Sequence, residues 1–272
     1  MSFARASFTA KLGLIIVIFY VLVALVGPFL APYKQSDIVG GVWEPISAEF
    51  WLGTDNVGRD LLSRMIYGTR TTLFIAFLAT SLSFSWGILT GFFAAVSGGW
   101  IDQVLSRWVD LMMAFPTLIF ALVVLSMVPI NMTTLVLVMA TLDSTRVFRI
   151  ARALAEDTSV MEFVEAARLR GESTLWIIFK EILPNTLTPL IAEYGLRFSF
   201  AVLFLSSLSF LGLGVQPPAA DWGGMVRDNA LGITFGRTAS LIPAAALAIL
   251  TVSVNFVVDW LLDKTSSLRK EG

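Results

Sequence analysis

Long apolar runs constrain this chain more than any other feature. A helix that crosses the hydrocarbon core of a bilayer needs about 20 mostly apolar residues. The two clearest runs are LGLIIVIFYVLVALVGPFLA and TLFIAFLATSLSFSWGILTGFFAAV. With them, six segments qualify, at about residues 12–31, 72–96, 108–128, 133–148, 186–211 and 239–262. The pattern predicts an all-α membrane protein with six transmembrane helices, the third of them kinked at Pro116.

The composition excludes most of the chemistry that soluble proteins use. Hydrophobic residues make up 56% of the chain and charged residues 14%, whereas soluble domains carry about 25% charged residues. Cysteine and histidine are both absent, which excludes disulfides, thiolate nucleophiles, imidazole bases and metal sites built from these residues. The net charge of −1 gives no bulk basic surface for nucleic acid. This composition favours transport over catalysis.

The distribution of lysine and arginine predicts the orientation. Loops on the cytoplasmic side of a membrane protein carry an excess of basic residues. An N-terminus placed inside leaves twelve basic residues on the inner side, including Arg5 and Lys11, and six on the outer side. Both termini are therefore predicted to be cytoplasmic. A cleaved secretory signal is the alternative interpretation of the first run, but its length and the five runs that follow favour a retained helix.

The spans predict one membrane domain without an internal repeat. Residues 1–71 would supply the first helix and an external segment, and residues 72–272 the core of the domain. A cytoplasmic docking loop is expected at about 149–185. In the second run, the GILTG sequence from Gly87 to Gly91 favours close packing against a neighbouring helix.

The 149–185 loop contains DTSVMEFVEAARLRGESTLWIIFKEILPN, a polar stretch between two apolar runs. A polar residue at 157–159 is expected to cap a first helix, with Ser159 and Glu162 forming a capping box. Gly171 would end that helix, and Ser173 would cap a second one. The sequence therefore predicts a helix, a glycine turn and another helix.

The residues of the first of these helices allow two interpretations. Small side chains at Ala166 and Ala167 permit the close approach of a partner protein. The charges of Glu165, Arg168 and Arg170 would fix the register in a groove on that partner. An amphipathic helix lying at the membrane interface is the alternative.

Five motifs extend this pattern along the chain. The first is Glu-Ala-Ala with Gly171, followed after ten residues by ILP. The others are WLGTDNVGRDLLSRMIYGTR, DLMMAFPTL, LPNTLTPLI and LSFLGLGVQPPAADWGGM. Over about residues 12–263 the chain resembles permease subunits of binding-protein-dependent ABC importers, in particular the C-type subunit of the dipeptide, oligopeptide and nickel branch. It departs from that pattern at three positions. Glu181 stands where the family often has histidine, Leu205 where it often has an acidic residue, and Leu262 where it usually has arginine.

The resemblance implies a type I ABC importer permease fold with a cytoplasmic coupling helix, in a prokaryotic inner membrane. It also implies a second homologous permease subunit, two ATP-binding cassette subunits and an extracytoplasmic substrate-binding protein. The chain has no GxxxxGK[ST] phosphate loop. It is therefore expected not to be an enzyme and to bind no cofactor, with ATP and Mg²⁺ held by the ATPase subunits. The residues expected to dock on an ATPase subunit are Glu165, Ala166, Ala167, Arg168, Arg170 and Gly171.

Two outer segments are candidates for docking the binding protein. GTDNVGRD and GVQPPAADWGG are rich in turn-forming residues. Plain connecting loops are the alternative. The side chains expected to take part are Asp55, Arg59, Asp60, Asp221, Trp222 and Arg227.

Glu193 and Arg197 place two opposite charges within the fifth apolar run. Residues four apart pair on one face of a helix, and charges at membrane depth usually face a cavity or the protein interior. The pair is expected either to line the translocation path or to form an ion pair at the interface between permease subunits.

A self-sufficient secondary transporter or channel is the alternative function, and a membrane enzyme is a third. Secondary transporters often show two related halves with interrupted helices, and no such repeat is evident here. The substrate stays open among peptides, nickel chelates, opines and oligosaccharides, because selectivity resides largely in the binding protein.

Overall fold

The computed structural model describes residues 7–270, with side chains as far as residue 263. Arg5 and the side chains of the three basic residues near the C-terminus, which enter the predicted charge bias, lie outside this part. All regular structure in residues 7–270 is helical, apart from two isolated β-bridges within residues 38–60. The α-helices are α1 (Phe8–Leu30), α2 (Leu61–Ser97), α3 (Gly99–Met113), α4 (Thr117–Met127), α5 (Met132–Ser159), α6 (Glu162–Leu169), α7 (Thr174–Ile177), α8 (Leu183–Phe210), α9 (Trp222–Asn229) and α10 (Leu241–Lys270).

Several of these helices are long and apolar enough to cross a membrane. Four qualify by length and composition: α1, α2, the run Thr174–Phe210 and the part of α10 up to Asp263. The bent pair of α3 and α4 adds a fifth if it forms one broken span. Helix α5 carries Asp143, Arg146 and Arg149 within its first 18 residues, a high charge for a span. The all-α, multi-pass architecture is thus confirmed, whereas six crossings stay a prediction.

Helix α2 begins well before the predicted residue 72. The Asp60 carboxylate accepts a hydrogen bond from the Ser63 amide at 2.8 Å, which caps the helix. From Leu61 the helix continues without a break to Ser97. The predicted boundary between residues 71 and 72 therefore lies inside a helix, and the segment between α1 and α2, predicted to be external, ends at Asp60.

The predicted third span is two helices rather than one kinked helix. Helices α3 and α4 meet at 85°, with Pro116 as the N-cap of α4. Proline lacks the amide proton that a continuous helix would use, and it disfavours helical geometry in the residue before it. The break was predicted at the correct residue, but its angle is far larger than a kink.

Helix α5 continues to Ser159, so the predicted docking loop at 149–185 starts inside a helix. Ala151 and Ala155 are fully buried against α2 and its neighbours. Arg152 pairs with Asp102 of α3 through two bonds of 2.5 and 2.7 Å. These tertiary contacts hold the extension helical.

The GILTG sequence lies where α2 crosses α5. A Cβ atom on Gly87 would stand 2.5 Å from the Val147 Cβ, and one on Gly91 would stand 2.6 Å from the Phe148 carbonyl oxygen. Any larger side chain would push the helices apart, because the backbone of α5 fills that space. The predicted close packing is confirmed.

Helix α2 connects two distinct ends of the bundle. Leu61, at its start, belongs to a buried cluster with Trp222 of α9. Phe92, near its end, belongs to a cluster that contains residues of α6 and α7. At 1.5 Å per residue, its 37 residues separate these ends by roughly 55 Å. We call them the α9 end and the α6 end.

Candidate functional site

Helix α6 begins without the predicted cap. Its N-cap residue is Met161, which makes no side-chain capping bond. Residues 157–159 still belong to α5, where the Thr158 hydroxyl donates to the Leu154 carbonyl at 2.7 Å. The predicted caps at 157–159, including the capping box of Ser159 and Glu162, are therefore wrong. The chain turns only at Val160 and Met161.

The other end of α6 closes as the sequence predicts. Gly171 adopts φ +80°, and its amide donates to the Arg168 carbonyl at 3.0 Å, while the Glu172 amide donates to the Ala167 carbonyl at 3.2 Å. This pair of bonds is a Schellman motif, and glycine is the residue that takes a left-handed conformation without steric cost. The Ser173 side chain then caps α7. The predicted helix, glycine turn and helix are confirmed.

One face of α6 is packed against the bundle. Val164 and Ala167 are 0% exposed and lie in a cluster with Ile177 and Ile178. Ala167 was predicted to let a partner approach, and this placement corrects that expectation. Its small side chain instead lets α6 sit close on its own bundle, in one buried cluster with Ala151 and Ala155 of α5 and Leu190 of α8.

The opposite face of α6 is open. Glu165, Ala166 and Arg168 are exposed there, and Leu169 is 84% exposed. Leu169 was not among the residues expected to dock, since a leucine in an amphipathic helix is normally assigned to the buried face. A small surface that combines apolar and charged side chains suits a groove on another protein.

Arg170 is exposed but bends back toward its own chain. Its guanidinium lies 5.7 Å from the centre of the Trp176 ring. Two carboxylates, Glu172 and Glu181, stand 3.8 and 3.9 Å from it. Glu181, which stands where the family often has histidine, therefore lies close to the turn at Gly171.

At the α9 end, Asp55 organises the segment between α1 and α2. It is 0% exposed; one carboxylate oxygen accepts from the Val57 and Arg59 amides at 2.9 Å. The other oxygen accepts from Arg59 Nε at 2.7 Å. Arg64 Nε lies 3.2 Å from that same oxygen, in an ion pair too bent for a hydrogen bond. Asp55 is therefore an internal anchor.

Asp221 and Trp222 are buried as well. Asp221 caps α9 through the Gly224 amide, and burial raises the pKa of its carboxyl to about 6. Trp222 is 0% exposed; it packs edge-on against Tyr20, with 5.3 Å between ring centres. Its indole donates to the Met65 carbonyl at 3.3 Å.

Burial corrects the predicted docking set at this end. Asp55, Asp60, Asp221 and Trp222 are all nearly inaccessible, so their side chains cannot form a contact surface in this conformation. Arg59 and Arg227 are partly accessible, but each is engaged in an internal ion pair. A buried carboxylate is stable only when it is paired or hydrogen-bonded. The hydrogen bonds and ion pairs described above meet that requirement for the buried aspartates. Several large apolar side chains are exposed in the same segments, among exposed polar residues: Ile38, Val42, Ile46, Trp51, Leu231, Ile233 and Phe235.

The predicted pair in the fifth run is part of a larger charge cluster. Arg197 Nε donates to Glu193 at 2.5 Å, which confirms their position on one helical face. The same guanidinium lies 3.6 Å from Asp143 of α5, and Asp143 accepts from the Ser83 hydroxyl of α2 at 3.1 Å. Arg146 stands 3.8 Å from Asp143. The sequence showed charges at residues 143 and 146, but only the packing of α5 on α8 brings them to Arg197.

Four or five helices long and apolar enough to cross a membrane, with charged side chains enclosed between them, define a multi-pass membrane protein. Residues 87–267 match the family model described as binding-protein-dependent transport system inner membrane component, and residues 5–40 match the N-terminal TM domain of oligopeptide transport permease C. The chain belongs to this family of transport components.

Similar proteins include the dipeptide transport system permease protein DppC of Alkalihalophilus pseudofirmus, 33% identical over 93% of this chain and 84% of the relative. The protein of the same name from Haemophilus influenzae is 31% identical over 93% of this chain and 88% of its own length. The di/tripeptide transport system permease protein DppC of Pseudomonas aeruginosa is 34% identical over 92% and 85%. Each alignment covers most of both chains, so the likeness extends from the segment between α1 and α2 to α10.

Proposed function

We propose that the chain is one permease subunit of an ATP-driven importer that takes up short peptides. The relatives described above are named as dipeptide or di/tripeptide permeases, which favours peptides over the other substrates. One observation carries the coupling role: α6 presents an open face with Leu169 and is packed by Val164 and Ala167 onto the transmembrane bundle. A helix mounted in this way transmits a partner's movement instead of absorbing it.

In the proposed complex this chain pairs with a second homologous permease subunit. Two ATPase subunits bind ATP and Mg²⁺ and grip the docking helix of each permease. Their closure moves α6, and with it α5 and α8, so that the path switches between inward-facing and outward-facing states. This is a two-state transition biased by ligand at a distant site. An extracytoplasmic binding protein delivers the peptide.

The proposed contact with the binding protein differs from the one expected from sequence. The segment between α1 and α2 keeps this role, but its exposed apolar residues, among them Trp51, form the surface together with Phe235, which follows α9. The buried carboxylates Asp55 and Asp221 shape that surface from beneath. Exposed apolar patches rimmed by polar groups are typical of protein interfaces.

Reconstitution in proteoliposomes tests the proposed function. We expect uptake of a labelled dipeptide only when this chain, the second permease, the ATPase subunits, the binding protein and ATP are all present. Because the chain has no phosphate loop, it supplies no driving force by itself. Uptake by the chain alone would support the secondary transporter or channel instead.

The proposed topology has six crossings, with both termini and α6 in the cytoplasm. The chain has no cysteine, so Trp51→Cys and Leu169→Cys each introduce a single, well-exposed thiol. We expect a membrane-impermeant maleimide to label Trp51→Cys in intact spheroplasts and Leu169→Cys only after permeabilisation. The unmodified chain is the unlabelled control. Labelling of Leu169→Cys from outside would contradict both the orientation and the ATPase contact.

A further inference from the structure

A cavity of about 290 Å³ lies between α2, α4, α5 and α8. Asp143 and Arg146 project into it from α5, and Thr117 borders it from α4. Most of the remaining wall is apolar and includes Met139 and Phe204. Ligand pockets are commonly apolar with a few polar groups that fix orientation, and this cavity has that character.

The two arginines near this cavity, Arg146 and Arg197, differ in how many ion pairs and hydrogen bonds their guanidinium groups make. Arg197 is 16% exposed, bonds Glu193 at 2.5 Å and lies 3.6 Å from Asp143. It also stacks on Phe200, 5.3 Å from the ring centre. Arg197 is therefore committed to holding α8 against α5.

Arg146 has far fewer partners. Its side chain is 40% exposed, and its distance to Asp143 is 3.8 Å, too long for a hydrogen bond. Within residues 7–270, its guanidinium makes one hydrogen bond, to the Thr117 hydroxyl at 3.0 Å. A guanidinium carries five N–H donors arranged in a planar fork. Most of these donors are thus available to a ligand in the cavity.

We propose that Arg146 binds the C-terminal carboxylate of the transported peptide and so determines which peptides pass. A planar fork pairs with a carboxylate through two parallel hydrogen bonds. Asp143 and Thr117 hold Arg146 from one side, and the carboxylate meets the side turned away from Asp143. The apolar wall, with Met139 and Phe204, then receives the last side chain of the peptide. This assignment rests on the proposed function and adds a specificity-determining residue to it.

The test compares uptake of alanyl-phenylalanine with uptake of its C-terminal amide by the complete transporter. For each variant, the ratio of the two rates is divided by the same ratio for the wild type. All variants receive peptide from the same binding protein, so its own preference cancels. We expect Arg146→Gln to lower this normalised ratio roughly tenfold, because the charge-assisted bonds form only with the free carboxylate.

Two further variants separate recognition from structure. Arg149→Gln removes the same charge one turn along α5, where Arg149 pairs with Asp110 outside the cavity, and we expect the ratio to stay at the wild-type value. Arg146→Lys keeps the charge but loses the planar fork of donors, and we expect it to lower the normalised ratio roughly threefold. This variant still tests the inference if Arg146→Gln fails to assemble.

A normalised ratio that stays at one in Arg146→Lys and in any assembled Arg146→Gln would overturn the inference, as would equal losses for both peptides. Wild-type complexes that take up neither peptide would instead contradict the proposed function itself.

Discussion

Replacing Leu169 with aspartate should detach the ATPase subunit and reduce ATP-dependent uptake by more than tenfold. Leu169 is 84% exposed on the open face of α6. Burying a leucine in a partner's groove stabilises a complex by about 2 kcal/mol, and forcing a carboxylate into the same place adds a desolvation cost. Each 1.4 kcal/mol corresponds to a factor of ten in affinity. Co-purification with the ATPase subunit and uptake into proteoliposomes measure the two effects.

Ala167→Trp supplies the contrast, because Ala167 lies on the packed face of the same helix. We expect Leu169→Asp to leave the melting temperature of the isolated chain unchanged. Ala167→Trp should lower it, since overpacking a close contact costs about 1–3 kcal/mol. Leu231→Asp, which alters an exposed leucine at the α9 end, is the matched control and should retain the ATPase subunit. If Leu169→Asp retained it as well, α6 would not be the coupling element.

Replacing Asp55 with alanine should unfold the segment between α1 and α2 and lower the melting temperature of the chain by roughly 6–20 °C. The change leaves the guanidinium groups of Arg59 and Arg64 without their shared carboxylate at a buried site. Removing one partner of a buried ion pair costs about 3–5 kcal/mol, and each kcal/mol shifts the melting temperature of a chain of similar size by about 2–4 °C. The thermal melt of the purified protein measures this effect.

Two variants identify the cause of that loss. Asp55→Asn keeps an oxygen for the amides of Val57 and Arg59 but replaces the oxygen that faces the two guanidinium groups. The fall in its melting temperature therefore reports the loss of the contacts with Arg59 and Arg64. Asp37→Ala removes an exposed carboxylate from the same segment and should have the melting temperature of the wild type. A wild-type melting temperature for Asp55→Ala would mean that this segment does not depend on this anchor.

The features that the sequence predicted correctly depend on residues close together in the chain. Gly171 ends α6 because its backbone alone accepts φ +80°. The pairing of Glu193 with Arg197 follows from the helical repeat. The apolar runs identified the helices because every backbone group within a bilayer must be satisfied internally. The boundaries were less reliable: α2 begins at the Asp60 cap, and α5 is extended by contacts with its neighbours.

Local sequence was enough to establish a helical membrane protein in which Gly171 closes α6, because composition, helical period and turn chemistry act over a few residues. The tertiary structure alone decided which side of that element is open, with Ala167 inside and Leu169 outside. It also decided that Asp55 and Trp222 are interior groups and that Arg146 borders a cavity beside Arg197's ion pairs. These placements arise from packing between helices distant in the sequence, and no local pattern encodes which faces will meet.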